Sequence, residues 1–286
     1  MNSNEHHKMT QFFSLKYNPF DTAKPTSAIF LLERMRLEIW KLENLVMDGG
    51  IAAVIGGPGS GKSTFLRYLE NHLNAIRDAK VVQLARPQSS LVDFYRELGS
   101  MFDIELRVSN RWGGYRTLRD GWAKHIQSTL LRPVIIIDEA QLMLPQTLTE
   151  LRLLSSEKFD SHKLLTIILA GDQRLTERLS SPDLLPLLSR IYPKIEILPL
   201  TPEELTLMLQ HLMVESGNPE LFTKNVARTI ADSSYGNPRI MMQHAHELIH
   251  MAAHADVRVI DESFYYKIYQ DKINATRQKR AGKERL

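Results

Sequence analysis

Gly56-Gly57-Pro58-Gly59-Ser60-Gly61-Lys62-Ser63 is the stretch on which the reading of this 286-residue chain turns. It fits the pattern G-x-x-x-x-G-K-[ST]. A short apolar run, Ile51-Ala52-Ala53-Val54-Ile55, precedes it, and Phe65, Leu66, Leu69, Leu73 and Ile76 follow in helical phase. A strand, a glycine-rich loop and a helix in that order make a phosphate cradle. The glycines let successive N–H groups turn inward, and the helix start adds the positive end of its dipole. Lys62 would reach the β- and γ-phosphates of a nucleotide as a point charge, and the Ser63 hydroxyl would ligate Mg²⁺. The cradle is assigned to Gly56, Gly57, Pro58, Gly59, Ser60, Gly61, Lys62, Ser63 and Thr64.

Such a cradle needs a carboxylate at the tip of a second buried strand. Val134-Ile135-Ile136-Ile137-Asp138-Glu139 supplies two. Asp138 would hold Mg²⁺ and Glu139 would act as general base toward an attacking water. Adjacent residues alternate in direction along a strand, so the two carboxylates are expected to face different targets.

Outward from these motifs, helical and strand signals alternate. Residues 27–47 read as one helix, ended by Asp48-Gly49-Gly50. Apolar runs at 51–55, 81–85, 134–137, 164–170 and 195–198 are separated by helical patterns near 89–102, 115–131, 146 onward and 174–190. Short wholly apolar runs between helices imply parallel strands buried on both faces, an α/β doubly wound sheet. After Leu200 only helices follow, near 202–215, 219–233, 238–254 and 261–273. Thr201-Pro202-Glu203-Glu204 reads as a helix start. The expected organisation is an N-terminal segment (1–26), an α/β core holding the phosphate cradle (27–200), a small all-helical part (201–265) and a basic tail (266–286).

Composition narrows the function. With no Cys, thiolate metal sites, disulfides and a cysteine nucleophile are excluded. No apolar run approaches the roughly 20 residues of a membrane helix, and the first residues lack a signal-peptide core. A cytoplasmic protein with no membrane partner is expected. The formal charge of +3 is unevenly held: residues 267–286 carry seven bases against two acids, while the rest has 29 bases and 31 acids.

His246-Glu247-Leu248-Ile249-His250 is a rival motif, fitting the H-E-x-x-H of zinc proteases. Chance predicts about 0.02 such matches in a chain this long and about 0.01 for the glycine-rich loop, so rarity does not choose between them. Helical phasing puts Met241, Ala245, Leu248 and Ala252 on one face and His246, His250 and His254 on the opposite one. That opposite face is expected in solvent, where a zinc site lacks shelter and supporting contacts.

Six segments in order carry a family resemblance: Tyr17-Asn18-Pro19-Phe20, the glycine-rich loop, Asp138-Glu139-Ala140-Gln141, Leu169-Ala170-Gly171-Asp172, Leu188-Ser189-Arg190-Ile191 and Gly236-Asn237-Pro238-Arg239. Over roughly residues 12–265 the chain resembles an AAA+ ATPase. It is most similar to the group of ExeA-type secretion ATPases and the TniB, TnsC and MuB helpers of DNA transposition. The resemblance implies a P-loop AAA+ core, ATP and Mg²⁺ as ligands, and hydrolysis dependent on assembly of a ring or helical filament of identical subunits. By the same resemblance Pro19 and Phe20 would border the adenine. Asp172 would take the sensor-1 place, where the family favours a neutral polar group. Arg190 would be the arginine finger, with Arg174 and Arg178 as fallbacks, and Arg239 would be sensor 2.

Arg107, Arg111, Arg116 and Arg119, with Trp112 and Tyr115 among them, lie in a region that faces DNA in TnsC-like filaments. There they would neutralise duplex phosphates without reading bases. The basic tail would bind DNA or a transposase. Three functions stay open: a transposition regulator that recruits a transposase and possibly a target selector, a secretion ATPase, and a replication-initiator-like loader. Secretion relatives carry a membrane helix and a periplasmic part, and loaders a helix-turn-helix domain beyond the lid. None of these features is present, so the first function is expected.

Overall fold

The computed structural model describes residues 3–76, 79–104, 111–129, 131–157, 162–163 and 165–269. In chain order the elements are α1 (Ser3–Phe12), α2 (Glu33–Asp48), β1 (Gly50–Gly56), α3 (Lys62–Ala75), β2 (Ala79–Gln83), α4 (Leu91–Met101), α5 (Arg111–Thr129) and β3 (Arg132–Ile137). They continue with α6 (Pro145–Ser155), β4 (Ser156–Glu157), β5 (His162–Lys163), β6 (Thr166–Gly171), α7 (Gln173–Leu179), α8 (Leu185–Leu188) and β7 (Ile191–Ile197). Last come α9 (Pro202–Ser216), α10 (Lys224–Asp232) and α11 (Pro238–His254). A further helical stretch covers 262–269.

The chain divides into two units, one of residues Leu31–Leu198 and the other of Met1–Phe30 with Pro199–Leu286. The first holds a five-stranded sheet in the order β2-β3-β6-β1-β7, every pairing parallel. Successive side chains on the central strands go to opposite faces. Ile51, Ala53, Ile135, Ile137, Ile167 and Leu169 join one core with Phe94, Leu118 and Trp122 of α4 and α5. Ala52, Val54, Val134, Ile136, Ile168 and Ala170 join the other, with Ile39, Leu42, Phe65 and Leu69 of α2 and α3. Burying each large side chain contributes about 1.5–3 kcal/mol, so both faces must be covered, as the apolar runs imply. The edge strand β7 differs. Ile191, Pro193 and Ile195 are buried while Tyr192, Lys194 and Glu196, alternating with them, are exposed.

Several boundaries depart from the sequence reading. Residues 27–47 are not one helix: only a single 3₁₀ turn spans Thr26–Ala28, and Ile29 and Leu32 are extended before α2 begins. Their helical spacing reflects tertiary burial, not helix. The pattern at 174–190 splits into α7 and α8, because Pro182 lacks an N–H and restricts the residue before it. The N-terminal segment assigned to residues 1–26 falls in one unit with the C-terminal helices. Helix 262–269 runs into the stretch assigned to the tail, and residues 270–286 lie outside the described ones.

In the second unit, Thr201 caps α9 in a reciprocal box: its hydroxyl accepts from the Glu204 N–H at 3.2 Å, and its own N–H donates to Glu204 Oε2 at 2.9 Å. α11 buries Met241, Ala245, Leu248 and Ala252, as phased. The opposite face is not all solvent. α1 packs against α11, His246 and His250 are half-buried with rings 4.5 Å apart, and His254 alone of the three is exposed. His246 Nδ1 lies 3.5 Å from Asn18 Nδ2. Among the described residues no three His, Cys, Asp or Glu side chains are grouped to hold a metal ion. No described helix is long and apolar enough to cross a membrane.

Leu69 of α3 is fully buried and Leu37 of α2 is 55% exposed. Leu69→Ala should therefore cost about 2–5 kcal/mol of stability, and Leu37→Ala no more than about 0.5 kcal/mol. Urea unfolding measures both; equal losses would contradict this packing.

Candidate functional site

The sheet order brings the two sequence motifs together. β6 lies between β1 and β3, with Ile55 opposite Gly171 and Ile137 opposite Leu169. The loop leaving β1 and the carboxylates leaving β3 therefore emerge at the same sheet edge. Gly59 (φ +79°) and Gly61 (φ +96°) adopt left-handed backbone that side chains resist. That conformation turns the chain into α3, and Phe65 N–H reaches the Gly61 carbonyl at 2.9 Å.

Lys62 is 8% exposed and sits between two carboxylates. Its Nζ lies 3.7 Å from Asp138 Oδ1 and donates to Glu139 Oε1 at 3.2 Å. Ser63 Oγ donates to Asp138 Oδ2 at 2.9 Å. The expected divergence of the carboxylates by strand alternation is not observed. β3 ends at Ile137, and Glu139 takes a left-handed conformation (φ 52°, ψ 37°), which turns its own N–H onto Asp138 Oδ1 at 2.9 Å. Both carboxylates consequently approach one lysine. A non-glycine residue in this region persists where its surroundings hold it. Here the holding groups are Lys62 and Gln141, whose Nε2 donates to Glu139 Oε2 at 2.6 Å.

Sequence reasoning quoted Gln141 but gave it no role. The side chain is buried, and its Oε1 has no hydrogen-bond partner. A Cβ at Gly171 would come within 2.5 Å of that Oε1, so the end of β6 must stay bare for Gln141 to reach Glu139. Arg178, a fallback finger in the sequence reading, donates from Nη1 to the Gln141 carbonyl at 2.8 Å. It braces the same turn from within its own chain.

Asp172 follows β6 and caps α7. Its carboxylate accepts from the Arg174 backbone N–H at 3.0 Å, from Arg174 Nε at 3.1 and 2.9 Å, and from Nη2 at 2.6 Å. The Arg174 side-chain bonds hold the carboxyl below the usual aspartate range, against a smaller effect of burial. The Arg174 N–H and the charges of Arg174 and Lys62 add to the lowering. Arg174 is raised in turn, chiefly by Asp172, with Glu139 contributing.

The remaining predicted residues are more dispersed. Arg190 is exposed just past α8, its Nη1 donating to the Pro186 carbonyl at 2.8 Å. In the other unit, Arg239 is exposed on the first turn of α11, and Pro19 and Phe20 are buried, with Phe20 edge-on to Phe222 at 6.3 Å. Arg107 and the Arg111 side chain lie outside the described residues. Arg116 is exposed and 3.8 Å from Asp120, and Arg119 is half-buried over the Tyr115 ring at 5.1 Å. The α5 face is therefore mixed in charge.

The residues of the loop suit a polyphosphate with Mg²⁺. A Cβ built at Gly57 or Gly61 meets nothing within 4 Å, so the loop leaves an open cradle. Ser60 Oγ is buried without a hydrogen-bond partner. Ser63 and Asp138 present hard oxygen donors side by side, as Mg²⁺ prefers.

Residues 46–179 match the family model described as AAA domain. General secretion pathway protein A of Aeromonas hydrophila is 28% identical over 237 residues, covering 81% of this chain and 42% of that protein. The chain thus spans about two-fifths of that relative's length. Among solved structures, Cdc6p of Pyrobaculum aerophilum matches with a TM-score of 0.67 at 15% identity, over 85% of this chain and 67% of that one. The Aeropyrum pernix ORC2 protein in its ADP form matches at 0.69 and 14%, over 87% and 70%. The Aeropyrum pernix ORC1 protein in complex with DNA matches at 0.63 and 15%, over 86% and 67%. The fold is the α/β P-loop fold of AAA+ ATPases.

Because the Asp172 carboxyl is lowered in the folded chain, the Asp172–Arg174 pair holds at neutral pH. Its contribution is present above the ordinary aspartate value and is lost as pH falls through the lowered one. An NMR titration should place the Asp172 midpoint below that of an unpaired aspartate, and Arg174→Ala should move it upward. A midpoint unmoved by the substitution would contradict the pairing.

Proposed function

We propose that this chain binds ATP with Mg²⁺ at Gly56–Ser63 and hydrolyses it with Lys62, Asp138 and Glu139. The observation that carries this reading is the convergence of one buried ammonium with two carboxylates beside an open glycine cradle. Lys62 binds the β- and γ-phosphates through its charge, and the loop N–H groups orient them. Ser63 and Asp138 would hold Mg²⁺, which when bound neutralises developing charge on the phosphate oxygens. Glu139 takes the proton of the attacking water, with Gln141 orienting its carboxylate. Lys62→Ala should lower ATP affinity at least 100-fold by calorimetry. Glu139→Gln should retain ATP binding and slow turnover at least 100-fold. Unchanged affinity in the first or unchanged turnover in the second would refute the corresponding assignment.

Beyond the chemistry, we propose a homo-oligomer, ring or filament, in which exposed Arg190 acts on a neighbour's ATP and Arg239 acts from the helical lid. Pro19 and Phe20 would border the adenine. The assembly would bind duplex DNA non-specifically and regulate transposition by recruiting a transposase. Support comes from the six-segment resemblance, from the exposed Arg116 and Lys124 on α5, and from a structure of the same fold complexed with DNA. A second reading, a secretion-pathway ATPase, is favoured by the 28% identity to general secretion pathway protein A.

Electron microscopy with duplex DNA and a slowly hydrolysed ATP analogue separates the two readings. Ordered decoration of DNA supports the transposition reading, and no assembly on DNA supports the secretion reading. If DNA is held through phosphates, its affinity should fall by orders of magnitude between 50 and 200 mM salt. A flat salt response would exclude phosphate contacts.

A further inference from the structure

Asp172 places a negative charge next to a site built for polyphosphate. It follows Gly171, which pairs with Ile55 at the end of β1, one residue short of the glycine-rich loop. An isolated carboxylate there would repel a γ-phosphate. Arg174 changes the sign of what is presented. Its guanidinium grips both Asp172 oxygens through Nε and Nη2 at 2.6–3.1 Å, and the N-cap turn fixes the same carboxylate through the Arg174 N–H at 3.0 Å.

The pair is anchored on the site from several sides. α7, which carries Arg174, packs against β1 and against the turn at 140–142. That turn holds Gln141, which bonds Glu139. The charges of Lys62 and Glu139 are both felt at the pair. Asp172 is only 17% exposed in its side chain and Arg174 is 66% exposed, so the guanidinium covers the carboxylate and faces outward. Nη1 lies outside the contact with Asp172. With Nε and Nη2 holding Asp172, the oriented guanidinium keeps Nη1 to donate to a phosphate oxygen.

We propose that Arg174, oriented by Asp172, contacts the γ-phosphate in its own subunit's nucleotide site and so distinguishes triphosphate from diphosphate. This rests on the ATP reading above. Arg174 is then the contacting residue and Asp172 a positioning residue. The arrangement differs from a finger offered to a neighbour, the role proposed for Arg190.

The test compares binding of ADP and of a slowly hydrolysed ATP analogue, by calorimetry with Mg²⁺, to the wild type, Arg174→Ala, Arg174→Lys and Asp172→Asn. Arg174→Ala should lose at least tenfold in analogue affinity with ADP affinity unchanged. Arg174→Lys should recover part of the loss, and Asp172→Asn should show a smaller loss of the same kind. Equal weakening for both nucleotides marks a purely structural pair and overturns the proposal, as does no change for either. Mixing Arg174→Ala subunits with Lys62→Ala subunits separates the two geometries. Hydrolysis should not rise above that of the separate variants if Arg174 acts in its own subunit, and a rise would make it a finger acting on a neighbour. A wild type that binds neither nucleotide would defeat the ATP reading itself. Nucleotide binding that is indifferent to Arg174 would defeat only this inference.

Discussion

One lysine shared between two carboxylates is the interaction on which the site depends. Lys62 begins α3, and Asp138 and Glu139 follow β3. They meet only because β6 lies between β1 and β3 in parallel register, so that both strands end at one level. That order in turn requires apolar residues on both faces of the central strands and helices over each. The left-handed Glu139 and the bare Gly171 both serve to fit this charge cluster onto the ends of the central strands.

Much of this was legible in the sequence, because its causes are local. Apolar runs of strand length, a glycine-rich loop between strand and helix, and Thr201 before Pro202 each act within a few residues. The errors came where distant segments decide. Ile29 and Leu32 kept helical spacing yet are extended. The split of residues 174–190 is the exception, because its cause, Pro182, is local. α1 packs against α11 and Asn18 lies beside His246, each more than 200 residues away in sequence. The face expected in solvent is therefore partly covered, with His254 still exposed.

Within the site, residue identity was more legible than residue geometry. Asp138, Glu139 and Lys62 were found by motif, but the turn that brings both carboxylates to one ammonium was not. Gln141 does not stand out in the sequence, because a single glutamine after two acids has no distinctive spacing. Its signal is the small residue opposite, Gly171, and that is visible only in three dimensions. Asp172 was identified as out of keeping with its place. Its partner, two residues on, was considered only as a finger for a neighbour, because a charge pair formed across a helix cap is not a periodic pattern.

The central claim is that this charge cluster cleaves ATP. The most direct test is release of inorganic phosphate from ATP by the purified chain, followed over many turnovers with Mg²⁺ and again after chelation of divalent cations. The account predicts continued release with Mg²⁺ and none without it. ATP bound at the loop with no phosphate released under either condition, or release indifferent to chelation, would contradict it.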